Sequence, residues 1–183
     1  NTTGSSITAL GANACYANTT GDNNLGVGRS AMEINSTGSN NTGVGAYSLY
    51  NSTTANDNVA VGTYAAYTNT TGIQNTAVGR RTFFSNTTGS QNTALGYDAL
   101  GDNTTANTAV GYEALSNAQS AVQVTAIGYQ ALKDCTASYN TAVGFQALDD
   151  CTSGTMNVAV GDGVLSTVTT ATSNTGMGHF ALN

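Results

Sequence analysis

Two cysteines occupy equivalent places in neighbouring stretches of the sequence. Cys135 follows Gly128 by seven residues, and Cys151 follows Gly144 by the same number. If the two stretches stack like adjacent β-strands, their Cα atoms lie about 5 Å apart, within the range that a disulfide accepts. The alternative is that two small residues replace asparagine in a polar column, and the sequence leaves both open. Cys15 falls instead on a core position, where we expect a buried, unpaired thiol.

A column of aromatic residues is the strongest candidate for recognition. Each member directly follows a glycine and precedes a polar residue, which is Asp98, Glu113, Gln130 or Gln146. The members are Tyr97, Tyr112, Tyr129 and Phe145. Stacked rings beside polar groups can hold a sugar through their apolar faces and neighbouring hydrogen bonds. The alternative is that the rings only stabilise the fold or a contact between chains.

Catalytic and metal chemistry are disfavoured. His179 is the single histidine, and it lies in no recognisable catalytic motif. We expect no two carboxylates to face one groove, as glycan cleavage would require. The recurring acids Asp102, Asp134 and Asp150 could hold a cation, but such a column is more often a solvated acidic stripe. We therefore predict no catalytic residues, no metal and no cofactor.

Composition excludes further classes of function. Four Lys and Arg residues and a net charge of −6 cannot supply the basic surface of a nucleic-acid binder. No apolar run is long enough to cross a bilayer, so we predict no membrane insertion of this segment. Residues 26–31 fit a G-x-G-x-x-A dinucleotide fingerprint, but equivalent stretches elsewhere show that the match is a by-product of a repeat.

That repeat, of about 17 residues, positions all of these side chains. Its marker, here called the anchor glycine, occurs at positions 11, 28, 45, 62, 79, 96, 111, 128, 144, 161 and 178. The text around it approximates N-T-A-V-G-Y-x-A-L-x-x-N-T-T-G-x-x, and the shorter copies lose residues in the Thr-Thr-Gly stretch, which marks a loop. We predict a single repeat array over 1–183 that forms a segment of a longer fibre.

Two positions of the repeat are mainly apolar. The residue four after the anchor glycine is mostly leucine, and the residue directly before it is aliphatic or methionine in all eleven copies. We predict that the second set forms a core ladder, with members Val44, Val61, Val78, Leu95, Val110, Ile127, Val143 and Val160. The residue two before the anchor glycine is always alanine or glycine, which suggests a surface that another backbone could approach closely. An oligomer would then supply burial that thin coils lack.

The period predicts the fold. Glycine, asparagine and threonine recur too often for a helix, whereas short β-branched runs between Asn-Thr-Thr-Gly turns favour strands. We predict an all-β, parallel β-solenoid or β-roll of about eleven 17-residue coils, stacked about 4.8 Å apart. One asparagine column would contain Asn41, Asn58, Asn75, Asn92, Asn107, Asn140, Asn157 and Asn174. A second would contain Asn18, Asn35, Asn69, Asn86 and Asn103.

The N-T-A-V-G-Y-x-A-L block resembles the head repeats of YadA-like trimeric autotransporter adhesins. It is also similar to the N-T-A-V-G-Y-x-A-L-x-x-N-T-T-G arrays of bacteriophage tail fibres. Clear copies start at Asn75, Asn92 and Asn140. The resemblance covers nearly all of the chain and implies a left-handed parallel β-roll, with three chains per fibre, displayed at an extracellular surface. The coil is longer than in the adhesins, which favours the tail-fibre type.

Together these features predict a structural and adhesive fibre, either a virion tail fibre or a bacterial cell-surface adhesin, and not an enzyme. Its expected partners are copies of itself, as a homotrimer, and a glycan or protein receptor on a host surface. The alternative is an ice-binding solenoid, because a threonine column lies three residues before the anchor glycine. Val59 and Val158 interrupt that column, which contains Thr42, Thr76, Thr93, Thr108, Thr125, Thr141 and Thr175.

Overall fold

The protein folds as a single stack of short strands. The computed structural model describes residues 2–102 and 104–183, and these contain no helix. Eleven three-residue strands, β1 to β11, follow one another along the chain. They are Thr8–Leu10, Leu25–Val27, Thr42–Val44, Val59–Val61, Thr76–Val78, Thr93–Leu95, Thr108–Val110, Thr125–Ile127, Thr141–Val143, Val158–Val160 and Thr175–Met177.

The eleven strands form one parallel sheet in sequence order. Between β5 and β6, for example, Thr76 pairs with Thr93 and Val78 pairs with Leu95. Each strand therefore lies over the same three repeat positions of its neighbour, and the predicted β-solenoid is confirmed. At the usual strand spacing of about 4.8 Å, the ten steps give a rod about 50 Å long.

Hydrogen bonds from coil to coil continue outside the strands. The Gly96 amide donates to the Val78 carbonyl at 2.9 Å, and the Leu115 amide donates to the Ala131 carbonyl at 3.0 Å. Corners and turns thus stack as strands do, so backbone hydrogen bonding continues from coil to coil although each strand has only three residues.

The direction of the strand side chains corrects two predictions. In strands β2 to β11 the central residue is buried and the flanking residues are half-buried or exposed. The predicted core ladder (Val44, Val61, Val78, Leu95, Val110, Ile127, Val143 and Val160) is stacked in register but lies on the outer face. Leu95 is 46% exposed. The alanine column, interpreted above as an approach surface for another chain, is the part that faces inward: Ala60, Ala77, Ala94, Ala109, Ala126, Ala142 and Ala159 are buried.

The side-chain period of a strand explains this inversion. Successive side chains point to opposite faces, so a three-residue strand can direct either its centre or its two ends inward. The interior is filled from the opposite side by the residues four after the anchor glycine, here called the leucine column. Its large buried members are Met32, Leu49, Phe83, Leu100, Leu115, Leu132, Leu148 and Leu165. Only a methyl group or a hydrogen fits opposite them: a Cβ added to Gly43 would meet Met32 Cγ at 3.0 Å.

Each coil turns through left-handed backbone conformations. Among the described residues, 32 that are not glycine have positive φ, at positions two and four after the anchor glycine and five before it. None of the 32 is valine, isoleucine or threonine. A branched Cβ fits this region poorly, so the conformation selects leucine over isoleucine in the leucine column.

Leu132 provides a direct test of this selection, because it is fully buried with φ of 51°. We expect Leu132→Ile to lower the free energy of unfolding by about 2 kcal/mol more than Leu132→Met, although all three side chains have similar volumes. Urea denaturation of the two variants measures the difference. Equal losses would show that backbone conformation does not determine the residue at this position.

The asparagine column four residues before the anchor glycine lies inside the rod. The Asn75 amide nitrogen and Nδ2 both donate to Asn58 Oδ1, at 3.0 and 3.1 Å. Asn75 Nδ2 also donates to the Gly89 carbonyl at 2.9 Å. The second predicted column is seen at Asn18, Asn35, Asn69 and Asn86, which are buried. Asn103 lies outside the described residues.

Candidate functional site

The outer face of the sheet is a uniform surface that extends over all eleven strands. It is formed by the first and third residues of all eleven strands, and here is called the strand face. Every one of these residues is threonine, valine, leucine, isoleucine or methionine, so the face carries no charge. Side chains on it range from half-buried to exposed, with Leu10 66% and Met177 74% exposed in the two terminal strands. The face is a continuous uncharged strip of threonine and apolar side chains, and exposed apolar groups over such a length are typical of an interaction surface.

The predicted aromatic column forms a stacked ladder. Tyr97 and Tyr112 have ring centroids 5.3 Å apart, Tyr112 and Tyr129 5.2 Å, and Tyr129 and Phe145 5.1 Å, with planes within 9° of parallel. The guanidinium of Arg80 lies 5.6 Å from the Tyr97 ring centroid, at the start of the ladder. A hydrogen bond with Glu113 and the charge of that carboxylate raise the pKa of Tyr112, so the phenol stays neutral. The structure therefore places these four residues together, and a glycan-contact role for them stays a prediction.

A second group of rings was missed by the sequence analysis. Tyr50, Tyr67 and Phe84 follow their anchor glycines by five residues, and their rings stack at 5.2 and 5.3 Å. Tyr47 and Tyr64 stack beside them at 5.1 Å. The sequence contains a signal for both sets, because the aromatic residues of each set recur at one repeat position in successive coils.

A cavity of about 270 Å³ opens where the second ladder ends. Its lining is mostly polar and comes from four consecutive coils. The lining residues are Arg81, Phe84, Ser85, Asp98, Gly101, Asp102, Glu113, Ser116, Asn117 and Lys133. The expectation that no two carboxylates face one groove is wrong, because Asp98, Asp102 and Glu113 all line this cavity. Stacking brings together repeat positions that are separated in the sequence.

Ion pairs hold most of the charged groups in the cavity wall. Arg81 Nε lies 3.2 Å from Asp98 Oδ2, and Lys133 Nζ lies 3.2 Å from Glu113 Oε2. Hydrogen bonds from Gln130 and Lys133 lower the pKa of Glu113. Burial raises the pKa of Asp102, whose carboxylate makes no hydrogen bond or ion pair with another described residue. The wall is therefore ordered, with one carboxylate available to a ligand.

Cys135 and Cys151 lie in adjacent coils as predicted, but as free thiols and not as a disulfide. Cys135 Sγ donates to the Ala137 carbonyl at 3.4 Å, and Cys151 Sγ donates to the Gly154 carbonyl at 3.1 Å. Asn18 Nδ2 makes the equivalent bond to the Gly21 carbonyl, so the cysteines substitute for asparagine in the second column. Contact with Cys151 and burial raise the pKa of Cys135. Cys15 is also a free, buried thiol, as expected.

The other chemical candidates are dispersed. His179 Nε2 lies 3.5 Å from Asp162 Oδ2 on an exposed surface. Asp134 in the acidic column accepts a hydrogen bond from Asn117. Among residues 2–102 and 104–183, no group of three or more His, Cys, Asp or Glu side chains is arranged to hold a metal ion.

Comparisons with known proteins identify no relative of this chain. No protein-family model, curated protein or solved structure matches this chain. Within the described part of the chain, no helix has the length and apolar character needed to cross a membrane.

Proposed function

We propose that the chain is a segment of an extracellular structural and adhesive fibre, whose copies pack together through their strand faces. The observation that carries the proposal is the charge-free strand face, which extends over all eleven strands. The leucine column is already covered within each chain, so the strand face is the apolar surface that assembly would bury.

Another copy of the chain is the partner that fits this face best. Its side chains repeat along the rod at the strand spacing of about 4.8 Å. A surface with a different period would match it over only a few strands, whereas a second copy has the same period along its whole length. Apolar side chains from neighbouring copies can therefore interdigitate throughout the contact.

Three copies and an extracellular location follow from the resemblance to adhesin heads and tail-fibre arrays. A rod of three parallel solenoids would hide the strand faces around a common axis and leave the aromatic ladders available to a receptor. The proposed role is to present, or to form, a surface that contacts a host glycan or protein, on a virion tail or on a bacterial cell.

A charge placed on the strand face provides a test. We expect Val110→Lys to weaken self-association at least ten-fold, because every copy would bury an unpaired ammonium in the contact. Gln119→Lys, in an exposed loop of the same coil, adds the same charge and should assemble like the unmodified chain. Sedimentation velocity measures both. Equal assembly of the two variants would mean that the strand face is not the contact.

Ice binding is a second candidate, favoured by one observation. Thr76, Thr93, Thr108, Thr125 and Thr141 occupy successive strands on the strand face, which gives an uninterrupted row of outward hydroxyl and methyl groups. Such a regular row could order water. Thermal hysteresis of a monomeric chain would support ice binding and contradict the fibre, whereas an oligomer without hysteresis would contradict ice binding.

A further inference from the structure

The second aromatic ladder stops where the chain supplies no further ring. Tyr50, Tyr67 and Phe84 occupy one repeat position in three successive coils, but the next two coils have Gly101 and Ser116 there. Neither residue carries a ring, the Arg81 guanidinium lies next to Phe84 instead, and the cavity of about 270 Å³ lies at this point. The cavity therefore lies where the second aromatic ladder is interrupted.

The end of the ladder carries a planar cation. Tyr67 stacks on one face of Phe84, with planes 8° from parallel. The Arg81 guanidinium lies 4.5 Å from the Phe84 ring centroid, so it covers the other face and extends the stack toward the cavity. Its Nε is held by Asp98, which keeps the guanidinium plane in place. A ring-shaped ligand would find a flat, fixed platform here.

The remaining groups favour a ligand with many hydroxyls and no negative charge. The Arg81–Asp98 and Lys133–Glu113 pairs each cancel in charge, so the residual charge of the cavity is that of Asp102. An anionic ligand would be repelled by that carboxylate, whereas hydroxyl or amino groups can donate to it. A pyranose has apolar ring C–H groups for the platform and polar substituents for the wall.

We propose that this cavity binds one neutral or amino-substituted pyranose unit of a glycan, in the place of the missing ladder rings. The inference deepens the receptor-contact part of the proposed function and rests on it. Binding at this cavity does not depend on self-association, because a single chain supplies every lining residue.

A new ring at one of the two missing ladder positions should weaken binding. In Ser116→Tyr the new ring would occupy the gap in the column, and we expect glycan binding to fall at least ten-fold. Ser166 is the same residue type at the same repeat position three coils further on, away from the cavity, so Ser166→Tyr is the matched control and should bind like the unmodified chain. Asp102→Asn keeps the shape and removes the charge, and should also weaken binding at least ten-fold.

The experiment is a glycan array carrying neutral, amino-substituted and acidic sugars, read with the full chain and the three variants. Binding of neutral or amino sugars that is lost in Ser116→Tyr and Asp102→Asn and retained in Ser166→Tyr supports the proposal. No binding, a preference for acidic sugars, or binding that is unchanged in Asp102→Asn overturns it. The molar mass of each sample is measured in parallel, so an assembled chain that binds no glycan refutes this site and leaves the fibre assembly intact.

Discussion

Gly45→Ala should destabilise the rod by about 3 kcal/mol or more, whereas Gly43→Ala, two residues earlier, should be nearly neutral. Gly45 has φ of 131°, and a Cβ there would lie 2.6 Å from the carbonyl carbon and oxygen of Gly62 in the next coil. The added Cβ would clash with the backbone of Gly62, whose amide and carbonyl are both hydrogen-bonded, so that backbone cannot move away locally. Gly43 lies in the alanine column, where the nearest atoms belong to the flexible side chains of Met32 and Ser48.

The pair is well matched because both variants make the same chemical change in the same coil. Denaturation in urea gives the two free energies of unfolding. If both variants lose the same stability, close stacking of the corners is not what selects the anchor glycine.

Substitutions in the buried asparagine column should have opposite signs at two positions. Asn75→Val should cost about 3 kcal/mol, because Asn92 loses the acceptor for its backbone amide and side chain and the Gly89 carbonyl loses a donor. Val124 is the natural interruption of this column, and it offers no acceptor to the Asn140 amide in the coil above it. Val124→Asn should therefore raise the free energy of unfolding by about 1 kcal/mol.

Chemical denaturation of both variants tests this, with amide hydrogen exchange at Asn92 and Asn140 as a local readout. Protection should fall at Asn92 in the first variant and rise at Asn140 in the second. Destabilisation by both substitutions would show that packing, and not hydrogen bonding between coils, determines the residues in this column.

The register of the coils could be predicted because it depends only on spacing. Aligning the anchor glycines places Val78, Leu95 and Val110 over one another whichever way their side chains point, although the coil between Gly96 and Gly111 is two residues shorter. The direction could not be predicted from apolar character, because alanine or glycine lies between two larger residues in each strand and the larger apolar residue suggested the core. The absence of β-branched residues from the leucine column was a usable signal, since it marks a left-handed corner that fills the interior from the far side.

One candidate site could be predicted from the sequence, and the other could not. The Tyr97 to Phe145 ladder was visible because its members occupy consecutive repeats. The cavity was not, because it depends on small residues, Gly101 and Ser116, that follow Phe84 in the stacked column. A gap in a column is recognised only when the coils are superposed and the neighbouring positions that wall it are known.

Because the alanines face inward and the valines face outward, the reason for expecting assembly is the exposed strand face and not the alanine column. A narrow interior filled by the leucine column leaves the strand face as a long, uncharged strip, which assembly of several chains would cover. Equilibrium sedimentation of the unmodified chain across a range of concentrations measures the molar mass of the species in solution. We expect three times the 18.4 kDa of one chain. A mass of one chain at all concentrations would contradict assembly through the strand face.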